Sequence, residues 1–397
     1  MAPRRKVLIA AVPVVVCLAA FAAGYDYVRG ATFVIQAAGM GGAARAVAEW
    51  NADEVAELDT QIPWRGGSLR GRVFAPASAG RLSPGAAESP PDAPATLLVP
   101  GVHAGGIDEP RLIQFARDLA SMGRIVVAAE LPDLKQYRIT ARTTDMIEDA
   151  AAWVSSRRGF APTGRIGLMG ISFAGGLSIV AGSREALRHR VAFAMSFGGH
   201  GDLPRTLKYL CTGELPDGSI LPPHDYGVAI ILLGVADRLV PENQAQPLRE
   251  AILAFLHASH VDMWDKAQGA TEFAKAKRMA ESLPEPAATL MHHVNDRSVA
   301  RLGPLLLPHV AELGGDQALS PSKSAAPAFP VYLLHGTDDN VIPAMESVLL
   351  AETLRERGAE VTQLATPLIT HAEVDRGAAA RAVWELVGFW ADLLSEE

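Results

Sequence analysis

The chain has 397 residues, with 36 Lys and Arg against 44 Asp and Glu, a formal net charge of −8. That length allows two domains, or one large domain with an insertion. With 49% hydrophobic and 20% charged residues it can bury a large core, which excludes intrinsic disorder. The acidic balance excludes nucleic acid as the main partner, because phosphate binding needs clustered Lys and Arg. Two cysteines, Cys17 and Cys211, exclude a disulfide scaffold and a four-cysteine zinc site. Cys211 reads as a small buried apolar residue.

Residues 1–29 read as a targeting segment, a signal anchor or a signal peptide. Arg4, Arg5 and Lys6 precede an uncharged run from Val7 to Tyr25. Such a run, at a rise of about 1.5 Å per residue, comes close to one hydrocarbon core of about 30 Å. The basic flank should stay cytoplasmic, placing the chain beyond the run outside. An uncleaved anchor suits the length and is the favoured reading. A cleaved signal peptide suits Ala20-Phe21-Ala22, and would make the protein secreted.

Residues 30–64 are predicted to be a helical lead-in, with Val47, Trp50, Val55 and Leu58 as docking residues. Ser68–Ala75 alternates enough to be a strand. The proline-rich stretch Pro76–Pro94 reads as an exposed loop serving as a hairpin connection. From there to residue 200, apolar runs alternate with amphipathic helices. The runs are Thr96–Val99, Ile125–Ala129, Ile166–Met169 and Val191–Ser196, and the pattern resumes at Pro330–Leu334 and 360–365. Unbroken runs of this kind predict a mostly parallel central sheet with helices on both faces. The alternation stops between residues 200 and 326, where Leu248, Ile252, Phe255 and Leu256 form a helical stripe. The expected domains are therefore a core in two parts, 65–200 and 327–397, around an inserted helical cap, 201–326.

Three motifs carry the chemistry. In Gly170-Ile171-Ser172-Phe173-Ala174 an apolar strand runs straight into a small-residue helix, close to the G-x-S-x-G nucleophile elbow. The turn demands small residues two before and two after the serine, and Gly170 and Ala174 meet that demand. A phosphate loop is the weaker reading, because a serine stands where backbone has to approach pyrophosphate. At His335-Gly336-Thr337-Asp338-Asp339 a strand end delivers two carboxylates, and His371 sits in a loop between a strand and the last helix. Serine, acid and histidine thus come in chain order, each at a strand's C-terminal end, where open α/β sheets place their sites.

On these three passages the sequence resembles the α/β-hydrolase superfamily, and more closely its bacterial dienelactone-hydrolase-like and prolyl-oligopeptidase-like serine esterases. The resemblance covers about residues 65–200 and 326–397. It implies an α/β-hydrolase fold and a Ser172–His371–Asp339 triad, Asp339 matching the acid of the H-G-x-x-D-x-x-V-P loop, with Asp338 as the alternative. Gly234–Pro241 repeats that spacing around Asp237, but inside the cap. The oxyanion donors implied are the backbone N–H groups of Phe173 and of Val102, the latter in a Pro100–Gly106 loop that carries Pro where His is usual. The expected activity is hydrolysis of a small-molecule carboxylic ester through an acyl-enzyme, without cofactor. Peptidase or amidase action on the same triad, or a binding protein that kept the fold, are the alternatives. His103 and His200 are candidate pocket residues. His257, His260 and Asp262 are close enough in sequence to suggest a metal, but the two histidines fall on a helix face and no third ligand is well placed beside them. Acyl and alcohol specificity are not legible.

Overall fold

The computed structural model describes residues 24–79, 93–369 and 380–396. An eight-stranded sheet forms its centre: β1 (Val55–Trp64), β2 (Gly67–Pro76), β3 (Ala95–Val99), β4 (Ile125–Ala129), β5 (Ile166–Ile171), β6 (Val191–Phe197), β7 (Val331–Gly336) and β8 (Val361–Thr366). The spatial order is β1-β2-β4-β3-β5-β6-β7-β8. β2 runs antiparallel to β1 and β4, and the remaining neighbours are parallel. The helices are α1 (24–37), α2 (Gly42–Trp50), α3 (Pro110–Ser121), α4 (Pro132–Lys135), α5 (Ala141–Ser155), α6 (Phe173–Gly182), α7 (Leu203–Thr212), α8 (Tyr226–Leu239), α9 (Glu242–Asp262), α10 (Lys266–Ser282), α11 (Ala287–Asn295), α12 (Val299–Leu306), α13 (Val310–Gly314), α14 (Met345–Glu356) and α15 (Ala380–Ser395). This is the α/β-hydrolase architecture that the motifs lead one to expect.

The strand sequences follow from burial on both faces. Every residue of β3 and β4 is buried, so neither can carry a polar face. Along β3, Leu97 and Val99 point to one core, which includes Met146 and Val154 of α5 and Leu177 of α6. Leu98 points to the other, with Phe33 of α1, Leu119 of α3 and Trp390 of α15. The period of two along the strand thus sorts residues between two helix layers. α7 to α13 lie between β6 and β7. Their apolar faces, including Leu248, Ile252, Phe255 and Leu256 of α9, continue the first core rather than forming a separate one.

Two expectations are corrected. The stretch 30–64 is not helical throughout, since its last ten residues form β1, paired residue for residue with β2. Val47 and Trp50 do not dock: Trp50 is 87% exposed. Tertiary pairing has overridden a spacing that also fits a helix. Nor is 76–94 a hairpin connection, because β2 lies beside β1 and β4 while the next strand, β3, lies beyond β4. Residues 80–92 of that connection are outside the described residues.

α1 is fixed to the body. A Cβ on Gly30 would meet the Val387 carbonyl oxygen at 2.6 Å, so α1 crosses α15 at backbone contact. Arg29 donates from Nη1 to the Leu394 carbonyl (3.2 Å) and from Nη2 to the Met122 carbonyl (2.5 Å). No described helix is long and apolar enough to cross a membrane, and residues 1–23, with most of the apolar run, lie outside the described residues.

Candidate active site

Ser172 follows the last residue of β5 and precedes the first of α6. Its backbone has φ 55° and ψ −134°, a region that side chains rarely adopt and that costs of order 1–3 kcal/mol. Two bonds secure it: Ser172 N–H donates to the Phe197 carbonyl (2.7 Å), and Gly175 N–H donates to the Ser172 carbonyl (2.8 Å). Small neighbours make the turn possible. A Cβ on Gly170 would lie 2.2 Å from the Ala174 carbonyl oxygen, and one on Gly175 would lie 2.3 Å from Ser196 Oγ. Ser172 itself is 8% exposed.

Phe173 opens α6, so its N–H has no carbonyl one turn back inside the helix. The loop after β3 flanks the serine from the other side, because a Cβ on Gly101 would lie 3.3 Å from Ser172 Cβ. Val102, buried, is the next residue. Parallel pairing of Val99 with Gly170 holds this loop and the elbow in register. The structure therefore brings Ser172, Phe173 and the Gly101–Val102 backbone together.

Asp339 lies in the loop after β7 and is 2% exposed, whereas Asp338 is exposed. Val341 N–H and Ile342 N–H donate to Asp339 Oδ1 at 2.8 and 3.0 Å, which fixes the carboxylate plane. Oδ2 lies 3.4 Å from His335 Nε2. His335, wholly buried, braces the same loop. Its Nε2–H donates to the Ile342 carbonyl (2.7 Å), and the Ser347 hydroxyl donates to its Nδ1 (2.6 Å). His371 is outside the described residues. β8 ends at Thr366, paired with Gly336 of β7 at the same edge of the sheet.

His200 does not line a pocket. It is 0% exposed beneath α6, with Nε2–H donating to the Leu319 carbonyl at 2.7 Å. A Cβ on Gly176 would lie 2.7 Å from His200 Cε1, so the imidazole packs directly under α6. Burial holds its pKa below the ordinary value. Its loop is further pinned by Glu346, whose Oε2 accepts from Gly201 N–H and Asp202 N–H.

His103 is half-buried in the Gly101–Gly106 loop. Gly105 N–H donates to its Nδ1 (3.2 Å), so a neutral ring carries its proton on Nε2, and Nε2–H donates to His260 Nδ1 (3.0 Å). Burial, and then His260, push the His103 pKa down to about 4. Burial and His257 lower that of His260. The other cap candidates are paired or structural. Asp237 binds Arg249 (2.6 Å), Asp262 binds Lys266 (2.7 Å), and burial pushes the Cys211 thiol up to about 12. Among the described residues no group of three or more His, Cys, Asp and Glu is placed to hold a metal ion.

Three residues at the site, Tyr226, Tyr209 and His224, escape sequence reasoning, and a fourth, His260, stands out there only as a weak metal candidate; all four belong to the cap. Tyr226, the first residue of α8, donates its hydroxyl to the Val102 carbonyl at 2.5 Å. His260 meets His103. Tyr209 Oη–H (3.0 Å) and His224 N–H (2.9 Å) both donate to the Asn340 carbonyl, beside Asp339. No local motif marks any of them.

No family model and no curated protein matches the chain. Among solved structures it is similar to a hyperthermophilic esterase from the archaeon Pyrobaculum calidifontis, at 15% identity over 93% of this chain and 92% of that one, TM-score 0.47. It is also similar to a thermostable carboxylesterase from a metagenomic library, at 16% identity over 86% and 91%, TM-score 0.46. A third similarity is to the Pyrococcus horikoshii acylaminoacyl peptidase, at 13% identity over 88% of this chain and 42% of that one, TM-score 0.47.

Proposed function

We propose that this chain is a serine hydrolase that cleaves a small-molecule carboxylic ester through an acyl-enzyme intermediate. Ser172 carries this reading: it is held at a strained strand-to-helix turn, between the N-terminus of α6 and the Gly101–Val102 backbone. Strain of this kind persists only where the surroundings impose it, and it gathers at reacting groups.

A serine hydroxyl is a weak nucleophile at neutral pH and needs a base to take its proton as it attacks. His371 is assigned that role, and returns the proton to the leaving alcohol. Asp339, its carboxylate already oriented by two amides, holds the imidazole tautomer and stabilises the imidazolium. The tetrahedral oxyanion is received by the N–H groups of Phe173 and Val102. Loss of one such donor typically costs about 10²–10³ in rate. Water then attacks the acyl-enzyme by the same proton route in reverse.

Incubation with a fluorophosphonate tests the assignment. The expected result is one covalent label on the wild-type chain, abolished in Ser172→Ala. A folded wild-type protein that takes no label would overturn it. Profiling hydrolysis across p-nitrophenyl esters of increasing length would then define the acyl preference.

We further propose that the catalytic body is tethered to a membrane by the N-terminal apolar run and lies on the extracytoplasmic side. Support comes from Arg4, Arg5 and Lys6 before that run, and from the exposed Tyr25, Tyr27 and Val28 at its end.

A further inference from the structure

We propose that the cap positions the oxyanion loop, with Tyr226 and His260 as positioning residues, so that cap docking is a condition of turnover and not only of access. This inference rests on the hydrolase reading above and deepens it.

The two cap contacts fall on consecutive residues of one loop and come from different helices. Tyr226, at the start of α8, donates to the Val102 carbonyl; His260, near the end of α9, accepts from His103 Nε2–H. Val102 is the residue whose N–H is assigned to the oxyanion. On its N-terminal side, Gly101 sits so near the elbow that a Cβ there would lie 3.3 Å from Ser172 Cβ, and on its C-terminal side Tyr226 fixes its carbonyl. The Val102 N–H lies in the peptide plane before the one that Tyr226 holds, and fixing the following plane restrains the rotation about Val102 that would turn that N–H aside. Removing the Tyr226 hydroxyl frees the second plane to rotate.

Tyr226 is well suited to a permanent donor role. Burial, and then the neighbouring Tyr137, raise its pKa well above the ordinary value, so the hydroxyl keeps its proton. Its ring packs edge-on to Tyr137 at 6.0 Å. The segment that carries it is itself anchored. Asp225 is paired with Arg297 (2.8 Å), and His224 N–H donates to the Asn340 carbonyl of the acid loop. Residues 224–226 therefore form a short strap from the loop bearing Asp339 to the loop bearing Val102. Arg111 lies over the ring of Trp264, just past the end of α9, at 5.5 Å, and adds a further cap-to-body contact.

The test is steady-state hydrolysis of p-nitrophenyl butyrate by the full chain. Tyr226→Phe is expected to lower kcat at least about tenfold while KM stays within about twofold, because both acylation and deacylation need the oxyanion donors. His260→Leu should lower kcat in the same way, and His260→Gln should restore most of the loss, since a Gln carbonyl can accept from His103 Nε2–H. A Tyr226→Phe enzyme with kcat within twofold of wild type, or a loss that resides in KM, would overturn the proposal. Should Tyr226→Phe prove unstable by thermal melting, the His260 pair decides: equal kcat for Leu and Gln overturns it. Failure of the underlying hydrolase reading is distinguishable, because it would appear as no fluorophosphonate label on the wild-type chain.

Discussion

Gly170 and Ala174 approach so closely that a Cβ on the first would stand 2.2 Å from the carbonyl oxygen of the second. The elbow depends on that approach, and Ser172 is held at positive φ as a result. Gly170→Ala should therefore destabilise the fold severely, by about 3 kcal/mol or more, since only backbone movement relieves the overlap. Ser172 gives a finer test. Ser172→Gly and Ser172→Ala both remove the hydroxyl and should both be inactive. Glycine alone adopts φ 55°, ψ −134° without strain, so Ser172→Gly should be about 1–2 kcal/mol more stable than Ser172→Ala. Denaturant midpoints of the two variants measure this directly, and equal midpoints would show that the turn stores no strain.

Asp338 and Asp339 are adjacent in sequence and opposite in environment. Asp339 is buried with two amides on Oδ1; Asp338 faces solvent. Asp339→Asn should lower kcat by about 10³–10⁴, because an amide cannot stabilise the imidazolium and holds the wrong tautomer. Asp338→Asn should leave kcat within about twofold. Esterase assays of the pair check the assignment of the acid, and the reverse ranking would transfer the role to Asp338.

Local constraints make the elbow legible in the sequence. Its steric demand falls on Gly170 and Ala174, within five residues, and its strand and helix flank it directly. The parallel strands are legible for a similar reason, since burial on both faces leaves uninterrupted apolar runs such as Ile125–Ala129. Long-range contacts are not. Tyr226 meets Val102 across 124 positions, and only the folded cap selects one tyrosine over another. β1 is hidden because Val55, Leu58 and Ile62 fit a helical spacing as well as a strand, and the pairing with β2 decides. His200 misleads because a glycine-flanked histidine after a strand has the look of a site loop. Its burial is imposed by α6 above it and Leu319 beside it.

The imidazole pair at the cap junction should make stability sensitive to acid. Burial first, then His260, place the His103 pKa at about 4, and an unfolded histidine titrates near 6.5. The folded state therefore refuses a proton that the unfolded chain accepts. Stability contributed by neutral His103 is fully present above about pH 6.5 and is lost as pH falls towards 4. His260, also lowered, adds to the same trend. Glu109 faces both rings and opposes it; Arg111 faces both and His257 faces His260, and these two reinforce it. Protonating His103 would also place a proton on Nδ1 against the Gly105 N–H that now donates there. Denaturant midpoints taken between pH 7 and pH 4.5 should fall more steeply for wild type than for His103→Gln. Parallel slopes would mean that the junction does not hold these rings neutral.

An aromatic face adjoins the N-terminal run. Tyr27 stacks on Trp384 of α15 with ring centroids 5.6 Å apart, and Trp384 is 65% exposed. Tyr25 and Val28 are exposed on the same stretch of α1, which Arg29 and Gly30 lock to the body. Tyrosine and tryptophan favour the headgroup level of a bilayer, where an apolar ring and a polar tip are both satisfied. If the run from Val7 tethers the chain, a rigid α1 brings this face against the headgroups. The full chain reconstituted in vesicles should show tryptophan quenching by lipids brominated high on their acyl chains, and Trp384→Phe should remove that quenched component. Trp50, on α2, stacks on no aromatic ring among the described residues, and Trp50→Phe should leave it unchanged. Equal quenching in wild type and Trp384→Phe would place this face away from the bilayer.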